Sequence, residues 1–421
     1  MIQFVTVKAK IAGNMEKYKN TTDIIVVGSG PSGLMSAITA AKKGRKVLVL
    51  EQKDVPCKKI YATGNGRCNF TNLYVDEKAF RGEQPKFAYD AYERFDNSDL
   101  IDFINELGVI TKDINGYVYP YNEQASTIAS CLLFECKRLG VLIRCSEKVV
   151  DITRDDCVFE VTTTLEKYRC KNVVIAVGGK ASPSHGSDGN LNKVIRKLGH
   201  DILLQRSALV PLLTDEKKFS KLAGVRIKCS VTLFVNEKPV NKESGEIIFN
   251  KDNISGIPVM QLSRYAVNAL AENKRVSLEL DMFDQIDTDE LCKLISKNRQ
   301  SDISLYEALG FLINDKLARF VADMTGYGEK TKLYSLSDND IKRLGEILKH
   351  FKVDIFGDSG FNRAQVTLGG VDTTQIDENM QSVIVKGLYF VGEILDVDGT
   401  CGGYNLQWAF TSGHIAGENL S

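Results

Sequence analysis

The sequence predicts an α/β fold, a parallel sheet with crossover helices, broken by an inserted domain of different character. Three observations predict it. The apolar run Asp23-Ile-Ile-Val-Val27 passes directly into Gly28-Ser-Gly-Pro-Ser-Gly33. A second apolar run, Lys46-Val-Leu-Val-Leu50, follows after one helix length. That alternation fades after residue 202 and returns after Arg363, with Ala364–Gly370 and Gly387–Val391.

The first strand is β-branched and apolar throughout, as strands covered on both faces of a parallel sheet are. The helix after Gly33 carries Leu34, Ala37, Ile38 and Ala41 on one face and ends near Gly44. Glu51 closes the second strand, completing a β-α-β unit of about 30 residues. Residues 52–125 are loop-rich around Ala62-Thr-Gly-Asn-Gly-Arg-Cys-Asn69, apart from a helical pattern at Ser98–Leu107. A second helix spans Ser126–Leu139, with Ile128, Leu132, Leu133 and Cys136 at helical spacing. Strand-like segments follow at Val141–Cys145, Val149–Thr153, Val158–Thr164 and Asn172–Val177. In the insert, Ser230–Val235 and Glu246–Phe249 alternate like antiparallel strands, while Pro258–Leu270, Thr288–Lys297 and Leu305–Met324 read as helical. Residues 1–202 and 363–421 are therefore assigned to one nucleotide-binding domain, and 203–362 to its insert.

Composition removes several classes. Lys+Arg and Asp+Glu number 54 each, so the formal net charge is zero and a nucleic-acid binder or polybasic membrane-surface protein is not expected. An apolar content of 43% argues against disorder. No apolar stretch reaches the roughly 18 to 20 residues of a spanning helix, and the first 20 residues lack a signal-peptide core. Met15, just before the first clear element, is an alternative natural start to Met1. The ten cysteines form no CxxC pair. Cys131 and Cys136 lie on one helix at a spacing that turns their thiols apart by about 140°. The expectation is a cytoplasmic chain with reduced cysteines and no metal, acting on a small molecule.

The glycine run carries the strongest chemistry. Gly28 permits a tight turn, Gly30 a close backbone approach to a pyrophosphate, and Gly33 close helix–strand packing. The helix N-terminus beyond it offers free N–H groups and partial positive charge. Glu51, about 20 residues on, is placed to accept from ribose hydroxyls. NAD and FAD both bind this way. A second glycine pair, Gly402-Gly403, opens the C-terminal helix, after a strand that stops at Gly392-Glu393 and a loop with Asp396 and Asp398. Backbone N–H groups at such a helix start can meet a ligand, and would favour the negative charge of a reduced flavin.

Three blocks, Asp23–Glu51, Lys58–Asn72 and Thr367–Val371 continuing through Gly387–Gly417, together resemble a bacterial family of NAD(P)/FAD-dependent oxidoreductases. That family includes aminoacetone oxidase-like proteins and the bile-acid-inducible flavoprotein reductase. The resemblance implies a glutathione-reductase-like FAD-binding Rossmann domain interrupted by a β-barrel-plus-helices insert. It implies that Gly28, Ser29, Gly30, Pro31, Ser32 and Gly33 hold the FAD pyrophosphate and Glu51 the adenosine ribose, with Gln52 a further cofactor contact. Lys59, Thr63, Gly64, Gly66, Arg67, Cys68 and Asn69 would line the loop beside flavin and ribityl chain. Ala176, Val177, Gly178 and Gly179 would close the adenine side, and Val149 would also contact the cofactor. Gly392, Glu393, Asp396, Gly402, Gly403, Tyr404, Asn405 and Leu406 would meet ribityl and isoalloxazine. The sequence departs from the family pattern in the insert, where Asn250-Lys251 stand in place of Thr-His and Ile257 separates Gly256 from Pro258.

The activity the resemblance implies is reduction of a carbon–carbon double bond conjugated to a ketone, with NAD(P)H as a transient donor because no second GxGxxG is present. An oxidase of a small amine or amino-ketone is the alternative, and a structural flavoprotein binding RNA or a protein partner a third. Arg67, Arg363, His185 and Tyr404 are the candidates to polarise a carbonyl or deliver a proton. Arg67 could equally pair with a carboxylate. Cys68 has only Cys57 as a partner for a redox pair.

Overall fold

The computed structural model describes residues 21–328 and 330–420; both candidate starts, Met1 and Met15, lie outside them. The apolar run after Asp23 forms strand β1 (Ile24–Val27), buried at every position. It leads into helix α1 (Pro31–Lys42), and then into β2 (Val47–Leu50), also buried throughout. Strands β3 (Leu142–Arg144) and β4 (Asn172–Ile175) follow.

The chain divides into two compact units. One comprises 1–205 with 366–421, the other 206–365. The second unit is built on a seven-stranded antiparallel sheet whose longest pair is the hairpin Arg226–Val235 with Lys238–Phe249. Its edge strands, Phe351–Ile355 and Gly357–Asp358, are separated only by Phe356, so the sheet closes on itself as a barrel. Helix Ile257–Ala271 packs against the barrel strands. The apolar stretch after Ser304 folds as two helices, α2 (Leu305–Gly310) and α3 (Asp315–Met324), divided where the Asn314 side chain caps the second.

Back in the first unit, β5 (Leu388–Phe390) and α4 (Tyr404–Asn419) complete the fold. The parallel sheet runs β5-β4-β1-β2-β3, in register through Val26↔Val174 and Val26↔Val49. Helices α1 and α4 cross closely because small residues meet there. The Ser36 hydroxyl donates to the Gly413 carbonyl at 2.9 Å, and a Cβ at Gly413 would come within 2.4 Å of the Ser32 carbonyl oxygen. This contact fixes the first turn of α1, and with it the glycine loop.

Among the described residues no helix is long and apolar enough to cross a membrane. No group of three or more His, Cys, Asp or Glu side chains among them is placed to share a metal ion. All ten cysteines are free thiols.

Candidate dinucleotide site

The three motif glycines of the β1–α1 loop differ sharply in surroundings. A Cβ on Gly28 would lie 2.4 Å from the Ala176 carbonyl oxygen, and one on Gly33 only 2.1 Å from the Gly28 carbonyl oxygen. A Cβ on Gly30 would meet no protein atom within 4 Å. Gly30 is extended (φ −68°, ψ 177°) and precedes a helix that begins with Pro31 and has no side-chain cap. Room beside an uncapped helix N-terminus is what a pyrophosphate needs, so the chain's residues fit that group.

Glu51 stands at the end of β2, nine-tenths buried. One carboxylate oxygen accepts from the Ser29 N–H at 2.9 Å and hydroxyl at 2.6 Å, the other from the Lys53 N–H at 2.8 Å. It is thus an anchored acceptor beside the glycine loop. Gln52 donates to the Gly186 carbonyl at 2.5 Å and accepts from Asn190 at 3.1 Å, which ties the 183–192 loop to the end of β2.

A second cluster gathers at the C-terminal ends of β4 and β5, the edge of a parallel sheet where ligands bind. Lys59 pairs with Glu393 at 2.7 Å. The other Glu393 oxygen accepts from the Thr367 N–H at 3.1 Å and hydroxyl at 2.9 Å. That hydroxyl oxygen accepts in turn from the N–H groups of Lys180 at 2.8 Å and Ala181 at 2.9 Å. Gly392 abuts α1, since a Cβ there would approach the Ser32 hydroxyl to 2.6 Å. Its N–H donates to the Ser412 hydroxyl, and its carbonyl accepts from the Trp408 indole at 3.1 Å. Thr367, Ser412 and Trp408 were not singled out from sequence. Thr367 lies in a recognisable block, but its role emerges only when Lys180 and Glu393 converge on it.

The third group surrounds the start of α4. Gly403 caps the helix at φ +97°, and a Cβ there would sit 2.5 Å from the Thr71 carbonyl oxygen. Asn72 donates to the Gly402 carbonyl at 3.0 Å. Asn405 clasps Gly399, donating to its carbonyl at 2.9 Å and accepting from its N–H at 2.7 Å. Asp396 is buried and accepts from the Glu83 N–H at 2.7 Å. Leu406 is half-buried. Tyr404 donates its hydroxyl to the Tyr74 carbonyl at 2.8 Å, and burial pushes its phenol up to about 12.

The remaining predicted residues divide. In the 60–66 turn, Thr63 donates to the Ile60 carbonyl at 2.6 Å, while Gly64 and Gly66 supply positive φ. Asn69 donates to the Thr71 and Val118 carbonyls. Val149 and Ala176 are buried in the core, Val177 and Gly178 only partly. Gly179 packs on Thr367. Cys68 is fully buried, and burial pushes its thiol up to about 12, so it is inert at neutral pH. Arg67 takes the bland alternative: it pairs with Glu123 and lies over the Tyr119 ring at 4.7 Å. His185 ends a short 3-10 turn, Pro183–His185, its pKa lowered by burial and then by Lys59, Lys58 and Lys53. Arg363 is exposed in the second unit.

With that geometry in place, comparison with known proteins is informative. The HI0933-like protein Rossmann domain matches residues 22–419. Over 400 residues the chain is 34% identical to the 3-dehydro-bile acid delta(4,6)-reductase of Clostridium scindens, covering 93% of this chain and 97% of that protein. Over 409 residues it is 30% identical to the ribosomal RNA dihydrouridine synthase of Escherichia coli, covering 94% and 98%. A solved structure, the 3-ketosteroid delta1-dehydrogenase from Sterolibacterium denitrificans in complex with 1,4-androstadiene-3,17-dione, aligns with TM-score 0.51 at 13% identity, covering 96% and 99%. At that identity the likeness is one of fold.

Proposed function

The chain belongs to the HI0933-like family of FAD-binding Rossmann flavoprotein oxidoreductases, and from that premise we propose that it reduces a carbon–carbon double bond conjugated to a ketone, taking electrons from NAD(P)H. The observation that carries the reading is likeness along nearly the whole chain to a reductase whose name specifies a 3-ketone and conjugated 4,6 double bonds. The cradle at Gly30 supports the cofactor half of it.

Bound FAD supplies hydride chemistry. The chain's part is to hold and orient. Room beside Gly30 and the start of α1 would take the pyrophosphate, Glu51 the adenosine ribose, and the Glu393–Thr367 cluster with residues 402–406 the flavin end. Reducing an enone also needs a donor at the ketone oxygen and a proton for the carbon next to it. Tyr404 keeps its proton at neutral pH, so a substrate carbonyl competing with that of Tyr74 would find a donor there. We place the reaction in the cytoplasm, where a reducing compartment suits ten free cysteines.

A second reading is favoured by the Escherichia coli relative. Dihydrouridine is uridine with its C5–C6 double bond reduced, and that bond is conjugated to the C4 carbonyl. The same hydride-plus-proton chemistry serves both substrates, so the readings differ in what presents the double bond. No comparable observation favours an oxidase.

The test is an anaerobic titration of the purified flavoprotein. Bleaching of the flavin band by NADH or NADPH, then its return on adding a 3-oxo-Δ4 steroid or bile acid, is the expected result. Return with uridine-containing RNA alone would move the assignment to the second reading. Return with dioxygen alone would make the protein an oxidase. A protein without flavin that cannot be reconstituted with FAD would overturn the proposal.

A further inference from the structure

Helix Ala125–Arg138 of the first unit buries one face and turns the other outward. Ile128, Ala129, Leu132 and Cys136 are buried, while Ser126, Ser130, Phe134 and Lys137 recur at helical spacing on the outside and are exposed. Phe134 is 69% exposed and stands at an open groove of about 410 Å³. Leu107 and Val109 line the groove from the preceding turn, and Ser126, Thr127, Ser130 and Cys131 line it from the helix. No charged side chain is among the groove's lining residues. Ile110 and Tyr121, beside the start of the helix, are 72% and 65% exposed and widen the apolar surface.

This face is complementary to itself. Four residues advance a helix by about 6 Å, so Ser126, Ser130 and Phe134 are evenly stepped with Ser130 in the middle. The Tyr121 N–H donates to the Ile110 carbonyl at 2.8 Å, which holds residues 107–110 beside the N-terminal end of the helix. A second copy running antiparallel about a two-fold axis at Ser130 therefore sets its Phe134 at the level of Ser126, where the groove lies. Each copy then supplies one projecting ring and one recess, the isologous pattern that closes a dimer. The charges follow the same symmetry. Glu106 ends helix Asn97–Glu106 next to Leu107, and Lys137 lies about one turn beyond Phe134. Both are exposed, and neither makes an ion pair among the described residues. The two-fold brings each Lys137 toward the other copy's Glu106, at a helix C-terminus, where a cation is favoured.

We infer that this chain pairs with a second copy of itself through the outer face of helix Ala125–Arg138, Phe134 of each copy seating in the other's groove between that helix and residues 107–109. An uncharged groove floored by small side chains suits an apolar ring, and the chain carries such a ring on the same face. One helix and a flanking turn make a small interface, at the low end of those that hold. The dimer is therefore a micromolar one. Every residue involved belongs to the first unit, and the inference does not rest on the proposed reaction.

The test is sedimentation velocity of the full-length, FAD-loaded protein from about 1 to 100 µM, the range in which so small an interface assembles. A monomer–dimer equilibrium is the expected result. Phe134→Asp is expected to weaken it at least about a hundredfold, leaving monomer throughout. Its flavin content and unfolding midpoint should match the unaltered protein, because the side chain is exposed in a single copy. Leu165→Asp changes another residue of the same unit that is also 69% exposed, and is expected to leave association unchanged. Lys137→Glu and Glu106→Lys are each expected to weaken association about threefold or more, since the two-fold counts each pair twice. The double variant, with the charges exchanged, is expected to recover most of that loss. Monomer at every concentration would overturn the inference and leave the groove to an apolar segment of a different protein. A dimer that Phe134→Asp leaves intact, an equal loss in Leu165→Asp, or no recovery in the double variant would also overturn it.

Discussion

The two glycine loops of the first unit use their missing side chains in opposite ways. In the Gly28–Gly33 loop, Gly28 and Gly33 are pressed against backbone, while the position between them opens onto free space. In the Gly402-Gly403 loop, Gly403 is wedged against Thr71 and Gly402 lies 3.0 Å, at its Cβ position, from the Tyr117 ring. The first loop leaves open space beside the start of α1. The second lets α4 begin flush against residues 71–72. Paired glycines before a helix are therefore a packing device as readily as a ligand signature, and only the surroundings separate the two.

Substitutions rank that contrast by cost. Gly33→Val should do the most damage, because a side chain 2.1 Å from a backbone carbonyl cannot be accommodated. A loss of about 4 kcal/mol or more in denaturant unfolding, or failure to obtain folded protein, is expected. Gly403→Ala combines positive φ with a 2.5 Å backbone contact and should cost about 2 to 3 kcal/mol. Tyr404→Phe removes one partly exposed hydrogen bond and should cost about 1 kcal/mol or less, read by the same unfolding curves. Gly30→Val should change the stability of flavin-free protein least, within about 0.5 kcal/mol, yet weaken FAD at least about a hundredfold, seen as lost flavin absorbance after gel filtration. If Gly30→Val instead unfolded the chain as Gly33→Val does, the distinction between the two positions would be gone.

How much of this was legible in advance follows contact range. The β1–α1–β2 unit was plain because its signals are adjacent in sequence: a buried run, three spaced glycines, a second run and an acid. Helices at Asn97–Glu106, Ala125–Arg138 and Ile257–Ala271 lie within a residue or so of their periodic patterns. The long hairpin was seen only at its apolar ends, since residues 238–246 are exposed or half-exposed and polar, with no alternation to betray a strand. The amphipathic helix Asp338–Lys349 was missed, although Ser337 and Asp340 form a capping box that marks its start. In the site, Glu51 and the glycines were readable locally. Thr367 and Gln407 were not, because their partners are Lys180 and Glu393 in one case and Thr71 and Phe95 in the other. Arg67 stood in a loop rich in ligand-type residues, but Glu123, more than fifty positions away, claims it.

The order of the sheet has a consequence for synthesis. Strand β4 pairs with β5 through Ile175↔Phe390, and α1 packs on α4 up to Gly417. The first half of the candidate site therefore leaves the ribosome long before the strand and helix that brace it. The 206–365 unit, built on its own seven-stranded sheet, emerges in the interval and can fold first, which shortens the loop that β5 must close. The glycine loop and its bracing partners can thus come together only after β5 and α4 have been made. A chain truncated by even its final helix would keep the glycine signature intact while losing the support that gives it shape.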